Sequence, residues 1–420
     1  MVTPSDSQHV FFKNVVWQYG LQILRYFFPF LLIPYLTRVL GTNGYAVYAY
    51  VLSFMGIMQT ITDFGFTLYG TRQVAANRNN SGALSKLMGS ITLARLMLSL
   101  GLCCVLCAIS QAIPIMRANI IYVVLAYAGT ALRAFLPDFI FQGFENMRPL
   151  TTRYFASKAV TVVSTLVLVR APEDLLWVAF ADIFGGVVAL GWSFLTIGKL
   201  YKVHFTKVGI KSAIAELKSS SIYCISDIGS TLVSGFTTFM VGVVLTNPVE
   251  IAYWSLALTT VSAVQALYAP FSNSLYSYVV VHHDLSMAKC LSMMAAPALF
   301  IGTIAYCLLS KSIFLLLGGE QYVPGSWVMV ALSPMLPLSF YSILVGWPIL
   351  GAIGKVKELT GSTVISGLVN VMVLFILNIL GLISLKIICF VRCFAEFVLL
   401  ASRLLMLFQT ERKPKSGLSG

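Results

Sequence analysis

The chain has 420 residues, 58% of them hydrophobic and 10% charged, with a formal net charge of +13 and a mean hydropathy of +0.87. A soluble domain carries roughly a quarter of its residues as charged side chains. Composition therefore excludes a water-exposed globular domain of this length and predicts an all-α chain whose outer surface faces hydrocarbon.

In chain order, Met1–Asn14 is polar, and the first apolar run is followed by Arg38 rather than a small-residue cleavage site, so no removable secretory signal is expected. Apolar runs of the roughly 20 residues a bilayer span needs recur at 15–37, 45–68, 87–109, 119–142, 154–170, 175–198, 220–245, 251–278, 290–310, 327–352, 361–380 and 384–408. They do not alternate polar with apolar, as strands of a membrane barrel do. The expectation is a polytopic bundle of about twelve spanning helices. The fifth run is short and the last two nearly touch, which leaves about eleven as the other count.

With the N-terminus inside, the inside segments hold 17 Lys and Arg and the outside loops hold 5. That bias places both termini in the cytoplasm and makes the positive charge a topology signal, with no nucleic-acid partner implied. The longest polar segment, Lys199–Ser219, carries five Lys and one Glu near the midpoint. It divides the chain into two six-span lobes, 1–205 and 206–420, as in a transporter built from two halves. Internal similarity is faint. Leu40 and Tyr48 match Leu245 and Tyr253 at one constant offset, and "FIFQGFENMRPLT" resembles "WPILGAIGKVKELT", pairing Gly143 with Gly351.

The remaining loops are short, and there is no G-x-x-x-x-G-K-[ST] loop, so neither an extramembrane catalytic domain nor ATP hydrolysis through a P-loop is expected. Cys103-Cys104-x-x-Cys107 lies inside an apolar run and reads as small apolar filler. The His282–His283 pair reads as solvated, and the Asn79-Asn80-Ser81 sequon falls on the cytoplasmic side. No cofactor is expected.

Ionisable residues inside spans cost about 3 kcal/mol or more at the bilayer centre and mark candidate sites. Arg25, Arg95 and Arg133, from the first, third and fourth runs, sit roughly 13–18 Å from the cytoplasmic face at the helical rise per residue. No acidic set matches them at that depth, so they predict an anionic ligand, and the planar fork of Arg suits phosphate. Arg25 precedes Pro29 by four residues, and Arg133 precedes Pro137 by four. Each proline removes the hydrogen bond to that arginine's carbonyl, which predicts hinges at Pro29 and Pro137. Asp63 and Asp138 lie near cytoplasmic ends, where solvation explains them. Asp182 and Asp227 lie deeper, and either could carry a coupling H⁺ or Na⁺ or neutralise an arginine. Arg392 and Glu396 are one turn apart and are expected to pair.

"PYLTRVLGTNGYAVYAYVLSF" (Pro34–Phe54), "DFGFTLYGTRQVA" (Asp63–Ala75), "FQGFENMR" (Phe141–Arg148) and "LLLGGEQYVPGSWVMVALSP" (Leu315–Pro334) occur in order along most of the chain. Together they resemble the bacterial Wzx-type flippases, within the wider superfamily that holds lipid II flippases and multidrug exporters. The resemblance implies two six-helix lobes around a central cavity in an inner membrane. It implies a substrate of undecaprenyl-pyrophosphate-linked oligosaccharide such as an O-antigen unit, moved from the cytoplasmic to the periplasmic leaflet by alternating access. In that setting Arg25, Arg95 and Arg133 would hold the pyrophosphate, Asp63, Asp182 or Asp227 would serve ion coupling, and a polysaccharide polymerase and chain-length regulator would be partners. Asp63 falls in the motif after the second span. Two rivals remain: a multidrug or organic-cation exporter, which predicts acids rather than arginines facing a cavity, and a membrane-embedded glycan polymerase, which predicts a large outside loop. A purely structural membrane protein leaves the deep arginines unexplained.

Overall fold

The structure, a computed structural model, describes residues 4–412 except 246, 269–270, 273–274, 276–278 and 280–285, with the backbone alone for 4–15, 222, 225–234, 286–292, 356 and 410–412. His282, His283 and the side chains of Asp227 and Cys290 therefore lie outside the described residues. The chain is a multi-pass, all-α membrane protein. Six helical stretches among the described residues are long and apolar enough to cross a bilayer, and a seventh is bent by 56° between Met293–Leu308 and Ser310–Gly318. The predicted runs are mostly helical where they are described, with breaks inside several of them.

Two compact units follow one another, Met1–Ile228 and Gly229–Gly420. The first holds α1 (Pro4–Val39), α2 (Gly41–Asp63), α3 (Phe66–Ala76), α4 (Ser81–Ala112), α5 (Pro114–Arg117), α6 (Ile120–Ala134), α7 (Asp138–Gly143), α8 (Arg148–Leu168), α9 (Leu175–Tyr201) and the start of α10 (Ile210–Val244). Two predicted spans are each broken into a long and a short helix. The second breaks at Phe64–Gly65, where both residues are left-handed (φ 49° and 72°). Gly65 is needed there on a second ground, since a Cβ would stand 2.6 Å from Tyr223 Cβ and 2.8 Å from Cys224 N. The fourth breaks at Phe135–Pro137, with Pro137 leading into α7. Pro29 behaves differently: α1 runs unbroken through both Pro29 and Pro34.

The short helices α3 and α7 pack on one another through glycine. A Cβ on Gly70 would meet Phe139 Cγ at 2.7 Å, and one on Gly143 would meet Val74 Cβ at 2.5 Å. Thr71 Oγ1 donates to Gln142 Oε1 at 3.2 Å across the same contact. Phe66, Val74, Ile91, Phe139, Ile140 and Phe141 form the buried core there, each at most 1% exposed. Helix α9 approaches α8 and α6 equally closely. A Cβ on Gly185 would fall 2.1 Å from Thr161 Oγ1, and one on Gly186 would fall 3.2 Å from Leu132 Cβ. Close packing, rather than flexing, is the use of this glycine pair. The basic midpoint segment is also held down. His204 N donates to Ser85 Oγ at 3.1 Å, and the Thr206 carbonyl oxygen would lie 2.2 Å from a Cβ on Gly89.

The second unit holds the rest of α10, then α11 (Pro248–Ala266), α12 (Ser286–Leu308), α13 (Ser310–Gly318), α14 (Ser326–Leu332), α15 (Met335–Leu344), a π-helical segment Val345–Gly351, α16 (Val356–Ile379) and α17 (Leu385–Arg412). Gly346 has non-helical torsions (φ −65°, ψ −108°). Arg403 of α17 fills that irregularity, donating to Ser342 O at 2.6 Å, Ser342 Oγ at 3.0 Å, Thr363 Oγ1 at 3.1 Å and Ser362 Oγ at 3.3 Å. Arg392 pairs with Glu396 at 2.9 Å, as their spacing predicts.

The two units share some local chain turns at the positions that sequence similarity pairs. Leu40 N donates to Leu36 O and Leu245 N to Val241 O, both at 2.9 Å and at the sequence offset. Asn146 N donates to Phe141 O and Lys355 N to Leu350 O, again both at 2.9 Å, each beside a positive-φ residue, Glu145 or Gly354. This second match sets Gln142, not Gly143, opposite Gly351.

Candidate functional site

The deep arginines of the first unit are not left without acids, contrary to the sequence expectation. Arg95 on α4 donates through Nη2 to Asp63 Oδ1 at the end of α2, and through Nη1 to the Leu136 carbonyl oxygen at 3.0 Å, within the break between α6 and α7. Its guanidinium lies 5.7 Å from the Phe66 ring and 5.9 Å from the Phe139 ring, a distance at which a cation is held by aromatic quadrupoles. Thr67 Oγ1 donates to Asp63 Oδ1 at 2.9 Å. The Arg95 side chain is 3% exposed, and its Nε is buried without a partner. Arg95 thus ties together the two helix breaks.

Asp138 is also paired rather than solvated. Arg153 Nη1 donates to Asp138 Oδ1 at 2.6 Å and to Ser193 Oγ at 3.1 Å, and Nη2 to Asp138 Oδ2 at 3.3 Å. Arg153 is 4% exposed, so it is a packed residue and not the loop charge its position suggested.

A second group of charges gathers on α1, α6, α8 and α9. Arg133 Nη1 donates to Asp182 Oδ2, and Nη2 to Thr130 Oγ1 at 2.9 Å. Lys158 Nζ lies 3.3 Å from Asp182 Oδ1. The side chains of Arg133, Lys158 and Asp182 are 21%, 25% and 23% exposed, neither sealed in the core nor free on the surface. The Tyr154 phenol lies in the combined field of Arg25, Arg133 and Asp182, and the Tyr48 phenol in that of Asp182 and Arg133. Arg25 is exposed and has no ion pair among the described residues. The ion-paired group sets two cations, Arg133 and Lys158, against one carboxylate, and Arg25 reaches it only by way of Tyr154.

The structure therefore separates the three arginines. Arg25 and Arg133 share a partly exposed cationic cluster, and Arg95 belongs to a buried joint. Lys158 is the member that the sequence reading passed over, although a lysine inside an apolar run carries the same signal as the arginines. Its run is the shortest and least apolar of the first unit, which made Lys158 look like an end residue. Arg403 was passed over near the end of the last run for the same reason. Among the described residues no disulfide joins the cysteines, and no group of three His, Cys, Asp or Glu could hold a metal.

A family profile described as "Polysaccharide biosynthesis protein" matches residues 11–279. A protein of Escherichia coli (strain K12) carrying the name "Putative O-antigen transporter" is 21% identical over 389 residues, covering 88% of this chain and 90% of its own. A Shigella dysenteriae protein of the same name is 22% identical over 373 residues, covering 86% and 92%. Among solved structures, lipid II flippase MurJ in an inward closed conformation aligns with a TM-score of 0.72 at 14% identity, covering 94% of this chain and 87% of its own. An inward-facing multidrug resistance MATE family transporter of the MOP superfamily aligns at 0.69 and 13% identity, covering 94% and 96%. At such identities these two likenesses speak for the fold alone.

Proposed function

The chain belongs to the polysaccharide biosynthesis protein family, and from that premise we propose that it is a flippase for undecaprenyl-pyrophosphate-linked oligosaccharide, an O-antigen or related repeat unit. It moves this substrate from the cytoplasmic to the periplasmic leaflet of a bacterial inner membrane, with both termini cytoplasmic. The observation that carries the reading is that Arg133 and Lys158 share the single carboxylate of Asp182, with Arg25 and Arg133 both acting on the Tyr154 phenol. A diphosphate diester brings about two negative charges and several acceptor oxygens, which Arg forks and a Lys point charge match. The sugar would travel with the diphosphate while the isoprenoid tail stays in hydrocarbon.

Two lobes, 1–205 and 206–420, would alternate access, with the bound anion favouring one state through its different contacts in each. Arg95 contributes to diphosphate capture indirectly, by fixing the helix breaks at Asp63 and Pro137. Asp182 and Asp227 are the candidate sites for H⁺ or Na⁺ coupling. A polymerase and a chain-length regulator would take the product on the far side, so this chain transports rather than catalyses. The exporter reading, which asks for acids free to meet a cationic drug, is disfavoured because Asp63, Asp138 and Asp182 are all already paired with Arg or Lys.

The test is leaflet-resolved extraction of undecaprenyl-linked material from a strain lacking the protein, with wild-type or Arg25→Ala plasmid copies. Single repeats should accumulate on the cytoplasmic side, clear with the wild-type copy and persist with Arg25→Ala at normal protein abundance. Single repeats reaching the periplasmic side in the deletion strain would refute flipping.

A further inference from the structure

Asp182 has both carboxylate oxygens engaged, Oδ2 by Arg133 and Oδ1 by Lys158. Room for it is made on purpose: a Cβ on Gly129 would stand 2.9 Å from Oδ2. The other groups facing it are the phenols of Tyr48 on α2, Tyr122 on α6 and Tyr154 on α8, with Arg25 of α1 acting through the same neighbourhood. Helix α9 itself offers no further charge near Asp182 between Leu175 and Gly198.

A carboxylate and a phosphate offer a guanidinium the same thing, two acceptor oxygens side by side. Arg133 and Lys158 have one set of N–H groups between them. An incoming phosphate that takes those donors takes them from Asp182.

We propose that Asp182 is a stand-in anion, holding Arg133 and Lys158 in position while the cluster is empty and yielding at least one of them to the diphosphate. This rests on the reading of the cluster as the diphosphate site. It makes Asp182 a competitor of the ligand rather than its partner. Removing the charge of the carboxylate frees the two cations, so a neutral side chain at this position binds the diphosphate more tightly than the aspartate does. A cluster without the stand-in would face self-repulsion among its cations when empty, which is the reason a carboxylate is kept there at all.

The experiment is calorimetric titration of the full chain in lipid nanodiscs with farnesyl diphosphate, between pH 5.5 and 8, in buffers of differing ionisation enthalpy. Wild type, Asp182→Asn, Asp182→Glu and Arg25→Ala are compared, with thermal melts as the check of folding. The probe's own titration is common to all four and cancels in the comparison. Asp182→Asn should bind about tenfold more tightly than wild type across this range. Asp182→Glu should keep the wild-type affinity, and Arg25→Ala should bind more weakly throughout. Folded Asp182→Asn that binds equally or more weakly overturns the stand-in alone. Wild type that does not bind the probe at all overturns the diphosphate reading and the inference together.

Discussion

Arg95 and Arg133 are the same residue type, both inside apolar runs of the first unit and both paired with an aspartate, yet they are set in different surroundings. Arg95 is enclosed at 3% side-chain exposure, with one acid, one carbonyl and two aromatic rings against its guanidinium. Its charge is spent on holding four chain segments together. Arg133 is 21% exposed and shares its single acid with Lys158, and with Arg25 nearby the group keeps an excess of positive charge. What separates the two arginines is the local count of charges, not their position along an apolar run.

The largest effect that sharpens this contrast is expected for Arg95→Met. Removing one partner of a buried ion pair leaves Asp63 uncompensated, a loss of about 3–5 kcal/mol. It should show as a collapse of folded protein in membrane extracts and a lowered melting midpoint, whereas Arg133→Met should keep its abundance and lose transport. Equal melting of the two variants would break the distinction. Next comes Gly143→Ala, which drives a methyl into Val74 at the α3–α7 contact and should cost about 1–3 kcal/mol as overpacking, read by thermal melting of the purified chain. The smallest effect belongs to Gly129→Ala. Its methyl comes too close to one atom of Asp182, Oδ2, and meets Cγ and Cβ at ordinary contact, so stability should fall by about 0.5 kcal/mol, the low end for single substitutions. Diphosphate affinity should change more than the melt does, because the carboxylate is pushed off Arg133. A melt that falls as far as that of Gly143→Ala would place Gly129 with the packed joint instead.

The spans were legible because a bilayer imposes length and apolarity on each segment separately, and that information is local. The Arg392–Glu396 pair was legible for the same reason: four residues on a helix is one turn. The pairs Arg95–Asp63, Arg153–Asp138 and Arg133–Asp182 each join different helices, and no spacing along the chain announces them. Asp63-Phe64-Gly65 could be noticed as a motif, but only the backbone shows it to be a helix break with two left-handed residues. Pro29 and Pro137 look alike in sequence. One sits in an unbroken helix and the other at a chain break, because the segment after Pro137 is drawn aside by glycine packing against α3. Arg25 and Arg133 stood out in sequence because each is a charge inside an apolar run. The membership of the cluster did not, since Lys158 and Asp182 join it only through the close approach that Gly129, Gly185 and Gly186 permit.

The pinned midpoint segment also bears on how the chain can be cut and rejoined. Flexible linkers keep their ends in contact statistically, by effective concentration. Here Ser85 and Gly89 clamp the connector to α4 through His204 and Thr206. The tolerant place for a reporter insertion is accordingly Gly209, which is exposed, past the clamp and before the first turn of α10.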